Sequence, residues 1–136
     1  MTDSRFSFDF VEQKIRKKSF GVLSTIDSKD QPHSTGIIYA VGPPESSFAL
    51  YSIVGANYAK VRNIKQNPNV SLVVTFPHYW IRFAQASYAM FRGTAEIVPF
   101  ADEDAQWAMS QTRIGKMNLQ AEAENSNVEF VFIKIT

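Results

Sequence analysis

Cysteine is absent from this chain of 136 residues. That absence removes thiol catalysis, zinc fingers and disulfide frameworks together, and it suits a reducing compartment. Histidine is nearly as scarce. His33 and His78 are the only two, with no carboxylate at ligand spacing, so no metal site is expected. No apolar run approaches the ~20 residues of a membrane span. The opening Met1-Thr2-Asp3-Ser4-Arg5 lacks the apolar stretch of a secretory signal. A soluble cytoplasmic protein without a membrane partner is therefore expected. Charge of one sign is missing too. Fourteen Lys+Arg against thirteen Asp+Glu leave +1, too little for a bulk electrostatic grip on nucleic acid. There is no G-x-S-x-G elbow to support a hydrolase.

What is present reads as one globular domain spanning residues 1–136. Apolar residues make up 45% and charged residues 20%, an ordinary globular balance. A chain of this size buries about two-thirds of its unfolded surface and needs no staple. Eleven Phe, five Tyr and two Trp are a high aromatic share, which fits a β-rich core.

Hydrophobic spacing places the elements. Phe8, Val11 and Ile15 recur at helical intervals, with Ser7 or Asp9 as cap, and the basic run from Lys14 to Lys18 reads as a solvated helix end. Residues 19 to 27 alternate as a strand, with Gly21, Leu23 and Thr25 on one face and Val22, Ser24 and Ile26 on the other. A turn at Ser28-Lys29-Asp30-Gln31-Pro32 leads into a second strand over residues 33–41, and residues 48–53 form a third. A short helix follows at about 58–66, then strands at 70–76 and 88–97, and a helix from Asp102 to about Arg113. Asp102, Glu103 and Asp104 complement that helix's dipole, and Trp107 with Ala101, Ala105 and Met109 reads as core packing. Residues 117–127 give no clear period. Residues 128–135 form the sixth strand, apolar on nearly both faces, which a subunit interface would cover. The expected fold is mainly β: a six-stranded antiparallel split β-barrel with two or three short helices. The dense Phe76-Pro77-His78-Tyr79-Trp80-Ile81 segment reads as a loop at a subunit contact.

The stretch richest in chemistry runs from Tyr51 to Asn63: strand, glycine-containing turn, helix. Tyr58, Val61 and Ile64 supply the apolar stripe of that helix, and Asn57 can cap it or turn to a ligand. A helix start offers unpaired N–H groups and a positive dipole end, which favour phosphate. Lys60 lies in the first turn, off the stripe, and leans toward that end; Ser52 can add a hydroxyl. Arg62, about 200° round from Lys60 on an ideal helix, points elsewhere. The arrangement is either a phosphate cradle or a capped surface helix carrying a solvated lysine.

In order along the chain, Phe20-Gly21-Val22-Leu23-Ser24-Thr25-Ile26-Asp27, Gln31-Pro32-His33-Ser34-Thr35, Lys60-Val61-Arg62-Asn63-Ile64, Asn67-Pro68-Asn69-Val70-Ser71-Leu72 and Phe91-Arg92-Gly93-Thr94-Ala95 resemble the pyridoxamine 5'-phosphate oxidase-like, flavin-binding split-barrel family. The ordered series is specific, although no single motif is. The resemblance implies a homodimer holding flavin mononucleotide (FMN) in a groove at the subunit interface. It also implies flavin-dependent oxidoreductase activity on a small-molecule substrate. Lys60 matches the position gripping the cofactor phosphate, and Tyr51 and Ser52 match the strand end beside the ribityl phosphate. His33, Ser34 and Thr35 match the segment along the isoalloxazine edge. The true oxidases carry a basic residue where this chain has Thr35, another near Ala40, and a basic, tryptophan-bearing C-terminal segment without counterpart here. Those departures argue against vitamin B6 oxidation and leave deazaflavin F420 as an alternative ligand. A non-enzymatic module that stores, senses or sequesters a flavin or F420 is the rival reading, and a barrel with an empty groove serving protein contact is a third.

Overall fold

In the computed structural model, which describes residues 7–76, 87–124 and 127–136, the first helix α1 spans Phe8–Arg16. Ser7 caps it, its Oγ accepting from the Phe10 amide at 3.2 Å. Strand β1 (Phe20–Ile26) pairs antiparallel with β2 (Pro32–Ile38) from Phe20 opposite Ile38 to Ile26 opposite Pro32. The turn between them is built by Asp27, whose Oδ1 accepts from the amides of Lys29 and Gln31 at 2.8 and 3.0 Å. Within it Asp30 adopts a φ of 59°, a left-handed conformation that Asp tolerates.

The remaining elements are β3 (Ala40–Val41), β4 (Leu50–Gly55), α2 (Ala59–Gln66), β5 (Asn69–Phe76), β6 (Ser87–Pro99), α3 (Glu103–Ser110), α4 (Arg113–Glu124) and β7 (Phe130–Ile135). The strands form one antiparallel sheet in the order β2-β1-β5-β6-β7-β4-β3. Two stretches curl it. Residues 87–94 of β6 pair with β5, whereas residues 95–99 of the same strand pair with β7. Residues 32–38 pair with β1, and after one intervening residue Ala40 and Val41 pair with β4. The first and last strands of the order are thus consecutive in the chain. The sheet closes on itself as a half-barrel, with a gap between β2 and β4.

The expected six strands are seven because the strand anticipated over 33–41 is interrupted at Tyr39. Its amide donates to the Ser19 carbonyl at 2.8 Å, and its buried hydroxyl donates to the Ile15 carbonyl at 2.8 Å. Those bonds turn the chain from one half of the sheet to the other. The helices number four among the described residues, not two or three. The helix from Asp102 stops at Ser110, and a second, α4, occupies most of the stretch without clear period. Gly115 permits that corner, since a Cβ there would collide with the Met109 carbonyl.

Two apolar clusters result. Inside the barrel lie Leu23, Ile37, Leu50, Leu72, Val74 and Ile133, with Val61 and Ile64 from α2. Outside it, Tyr51 and Phe132 pack with Ala105, Ala108 and Met109 of α3. Phe100 stacks on Phe132 with centroids 5.6 Å apart. The second apolar face of β7, for which a subunit interface was the anticipated cover, is therefore covered from within the chain. Asp102 caps α3 by accepting from the Ala105 amide at 3.0 Å. Trp107 departs from the packing expectation: it stands at the exposed side of α3, while Ala105 and Met109 are buried.

Part of the sheet keeps apolar side chains exposed. On the outer face of the sheet, Phe20 is 56% exposed, Val22 38%, Tyr88 66% and Met90 49%. Register joins them, because Val22 sits opposite Val73 and Val73 opposite Met90. The Phe76–Ile81 segment expected at a subunit contact lies, beyond Phe76, outside the described residues, as does His78.

Candidate ligand-binding cleft

The gap between β2 and β4 is flanked by the start of α2. That start differs from the sequence expectation in two respects. The N-cap is Tyr58, not Asn57, and it makes no side-chain hydrogen bond to the helix. Asn57 is exposed, and its carbonyl accepts from Arg62 Nη1 at 2.7 Å, so Arg62 folds back on the loop before the helix. Tyr58 is exposed rather than part of the buried stripe, which consists of Val61, Asn63 and Ile64. The first amides of α2 are thus left without a side-chain cap, with the positive end of the helix dipole behind them.

Lys60 stands at this point, half-buried. Its Nζ donates to Thr35 Oγ1 at 3.4 Å and lies 5.7 Å from the centre of the Tyr58 ring. No carboxylate pairs with it among the described residues. Burial alone pulls its pKa below the ordinary value, because the desolvated ammonium lacks a compensating charge. A cation in this condition favours an anion brought from outside.

Lys60 and Thr35 are brought together. His33 and Thr35 share the inner face of β2, an edge strand whose outer backbone groups are free of sheet pairing on the side of the gap. His33 Nδ1 is buried without a hydrogen-bond partner among the described residues. Ser34 points to the opposite face, where its Oγ lies 2.7 Å from Ser24 Oγ. Ser52 is buried at the far end of the gap, and its hydroxyl donates to the Ile38 carbonyl at 2.8 Å, closing β4 onto β2. Tyr51, its neighbour, projects to the other side of β4, into the cluster beneath α3. Burial, reinforced by Asp102, Asp104 and Glu96, pushes its hydroxyl up to about 12. Its backbone pairs with Ala40 of β3 on one side and Lys134 of β7 on the other.

Two residues not anticipated from sequence lie behind Lys60. Asn63 is 7% exposed and Thr25 1%, and Asn63 Nδ2 donates to Thr25 Oγ1 at 3.1 Å. The available signal was weak: a threonine on the buried face of β1, and an asparagine within the apolar stripe of a short helix.

An open groove of about 580 Å³ lies elsewhere, on the outer face over Ser24, Ile26, Pro32, Asn69, Ser71 and Arg92. It holds no half-buried cation, Arg92 being exposed. Chemistry therefore favours the gap.

The family model described as pyridoxamine 5'-phosphate oxidase matches residues 8–136. The chain belongs to this family. Several solved structures share the split-barrel fold of this pyridoxamine 5'-phosphate oxidase relative. A conserved hypothetical protein from Mycobacterium tuberculosis superposes with a TM-score of 0.72 at 20% identity, over 100% of this chain and 84% of the other. The heme storage protein of Vibrio cholerae gives 0.70 at 16% identity, covering 95% and 88%. A FAD-binding protein from Mesorhizobium loti gives 0.69 at 20% identity, covering 96% and 87%. At these identities the likeness is one of fold, and ligand and chemistry have to be argued from the cleft itself.

Proposed function

We propose that this chain binds FMN non-covalently in the cleft between β2 and the start of α2, and serves as a flavin-dependent oxidoreductase for a small-molecule substrate. The observation that carries the reading is Lys60: half-buried, without a carboxylate partner among the described residues, and set at an uncapped helix start beside Thr35. A dianionic phosphate tail satisfies all of these at once. The residues present fit the cofactor. Lys60 and the first amides of α2 would hold the phosphate, Thr35 would add a hydroxyl, and the unpaired edge of β2 over His33 to Thr35 offers the backbone groups that a flat heteroaromatic ring requires. His33 Nδ1, buried and without a partner among the described residues, is a further group able to meet a polar ligand atom.

When bound, the flavin supplies hydride transfer, so no acid–base pair need be provided by the protein. The chain's own part is to fix the phosphate, present the strand edge and exclude water. By the resemblance, the true oxidases are basic where this chain has Thr35 and again near Ala40, which argues against pyridoxamine phosphate as substrate.

The protein acts as a homodimer with the cofactor at the subunit interface. The uncovered apolar face of Phe20, Val22, Tyr88 and Met90 supports this, because a second copy is a natural cover for it. The test is a titration of ligand-free protein with FMN, followed by flavin fluorescence, and then rapid mixing of the loaded protein with NADH or NADPH. Saturable 1:1 binding per chain followed by bleaching of the flavin absorbance is expected. Binding without reduction by any donor would favour the storage or sensing role, to which the storage protein among the structural neighbours lends weight. No binding would overturn the reading.

A further inference from the structure

Lys60 owes its place to the helix that carries it, and α2 is short, eight residues, and uncapped at its start. Something has to hold it in register against the barrel. Val61 and Ile64 supply apolar packing, but such packing tolerates sliding. Asn63 is directional. It lies three residues after Lys60, on the same side of the helix, and reaches β1 through its 3.1 Å bond to Thr25. Thr25 sits opposite His33 in the β1–β2 register, and its Oγ1 lies 3.5 Å from the His33 carbonyl. A hydroxyl has one proton to give and lone pairs to accept with, so Thr25 can take the amide proton of Asn63 and offer its own toward β2. Two residues further along β2 is Thr35, the partner of Lys60. Lys60 to Thr35 and Asn63 to Thr25 are therefore two cross-links, one helical turn apart, between the same helix and the same hairpin.

We infer that Asn63 is a positioning residue for the cleft: through Thr25 it locks α2 to the β1–β2 hairpin and so keeps the Lys60 ammonium opposite Thr35. The inference rests on the reading that Lys60 meets the phosphate of the ligand. Asn63 and Thr25 are both buried, so they act without touching that ligand.

The experiment compares FMN with riboflavin, which lacks the phosphate, on wild type, Asn63→Ala, Lys60→Ala and the double variant. Asn63→Ala is expected to weaken FMN by about tenfold, the size of losing the charged hydrogen bond from a displaced Lys60 to the phosphate, and riboflavin by less than about threefold. In the Lys60→Ala background the Asn63 change should cost FMN nothing further, because residues that act as a unit are not additive. Equal losses for the two flavins, or full additivity, would overturn the inference. A second readout needs no flavin: the titration of Lys60 by NMR of isotope-labelled lysine. Asn63→Ala should return its pKa toward the ordinary lysine value as the ammonium regains water, and an unmoved titration would count against the lock. If wild type binds neither flavin, the cofactor reading fails on its own, and the lysine titration alone decides the positioning role. Should Asn63→Ala fail to fold, Thr25→Val removes the same acceptor with little change of shape, and Thr25→Ser should restore both readouts.

Discussion

At the scale of single residues, the cleft is defined by a charge that has lost water and, among the described residues, gained no opposite charge. Lys60→Ala is expected to lower FMN affinity by about 10- to 100-fold while leaving riboflavin nearly unaffected, and calorimetric titration checks it. Because burial holds the Lys60 pKa below its ordinary 10.5, the ammonium discharges earlier than a surface lysine would. Affinity for a phosphate ligand should therefore fall as pH rises through that lowered value, more steeply in wild type than in Lys60→Ala. The same group affects stability in the opposite sense. In the window between its native pKa and 10.5 the unfolded chain binds the proton more strongly, so its contribution to stability rises with pH. Tyr51 works against it at the alkaline end. The native hydroxyl stays protonated to about 12, while the unfolded one ionises near its ordinary 10.0. Above roughly pH 10 the unfolded state then holds fewer protons, and stability falls as pH rises. A spectrophotometric titration should show tyrosines ionising late, Tyr51 among them, and Tyr39, which is raised further by burial.

At the scale of elements, alternation and spacing carried most of the architecture. Gly21, Leu23 and Thr25 fall on the buried face of β1 as their two-residue period requires, and α1 lies where its apolar intervals and the Ser7 cap put it. What was hidden depended on contacts between distant segments. Nothing local marks Tyr39 as the break between β2 and β3, since its two bonds go to Ile15 and Ser19. The start of α2 shifted because Tyr58 took the cap position, leaving Asn57 to accept from Arg62. Lys60 and Thr35 were both named from sequence and do meet, whereas Asn63 and Thr25 were missed. A buried polar pair is recognisable only once both its partners are placed. Helix α3 offers a direct test of element energetics. Asp102→Ala removes the side-chain acceptor at its N-terminus, and thermal denaturation should register a loss of about 1 kcal/mol. That loss should leave the cleft intact, because α3 packs on the far side of β4, over Tyr51 and Phe132.

At the scale of the whole molecule, the outer sheet face divides into an apolar half and a hydroxyl-bearing half. Phe20, Val22, Tyr88 and Met90 occupy the first, and Ser24, Ser34, Ser71 and Arg92 the second. If a second copy covers the apolar half, a charge placed at its centre should prevent association. Met90→Asp is expected to shift sedimentation from dimer to monomer, with a loss of self-affinity of about tenfold or more. If the cofactor is held at the subunit interface as proposed, flavin affinity should fall with it. A wild type that sediments as a monomer at all concentrations would contradict the assembly.

The joint at Tyr39 has a consequence for how this molecule can be cut and reconnected. Since residues 32–41 supply strands at both ends of the sheet order, they act as the clasp of the half-barrel. Circular permutation with new termini in the exposed turn at residues 28–30 should be tolerated. The same operation at Tyr39 would open that clasp and leave the two halves joined through α2, between β4 and β5, and through β6.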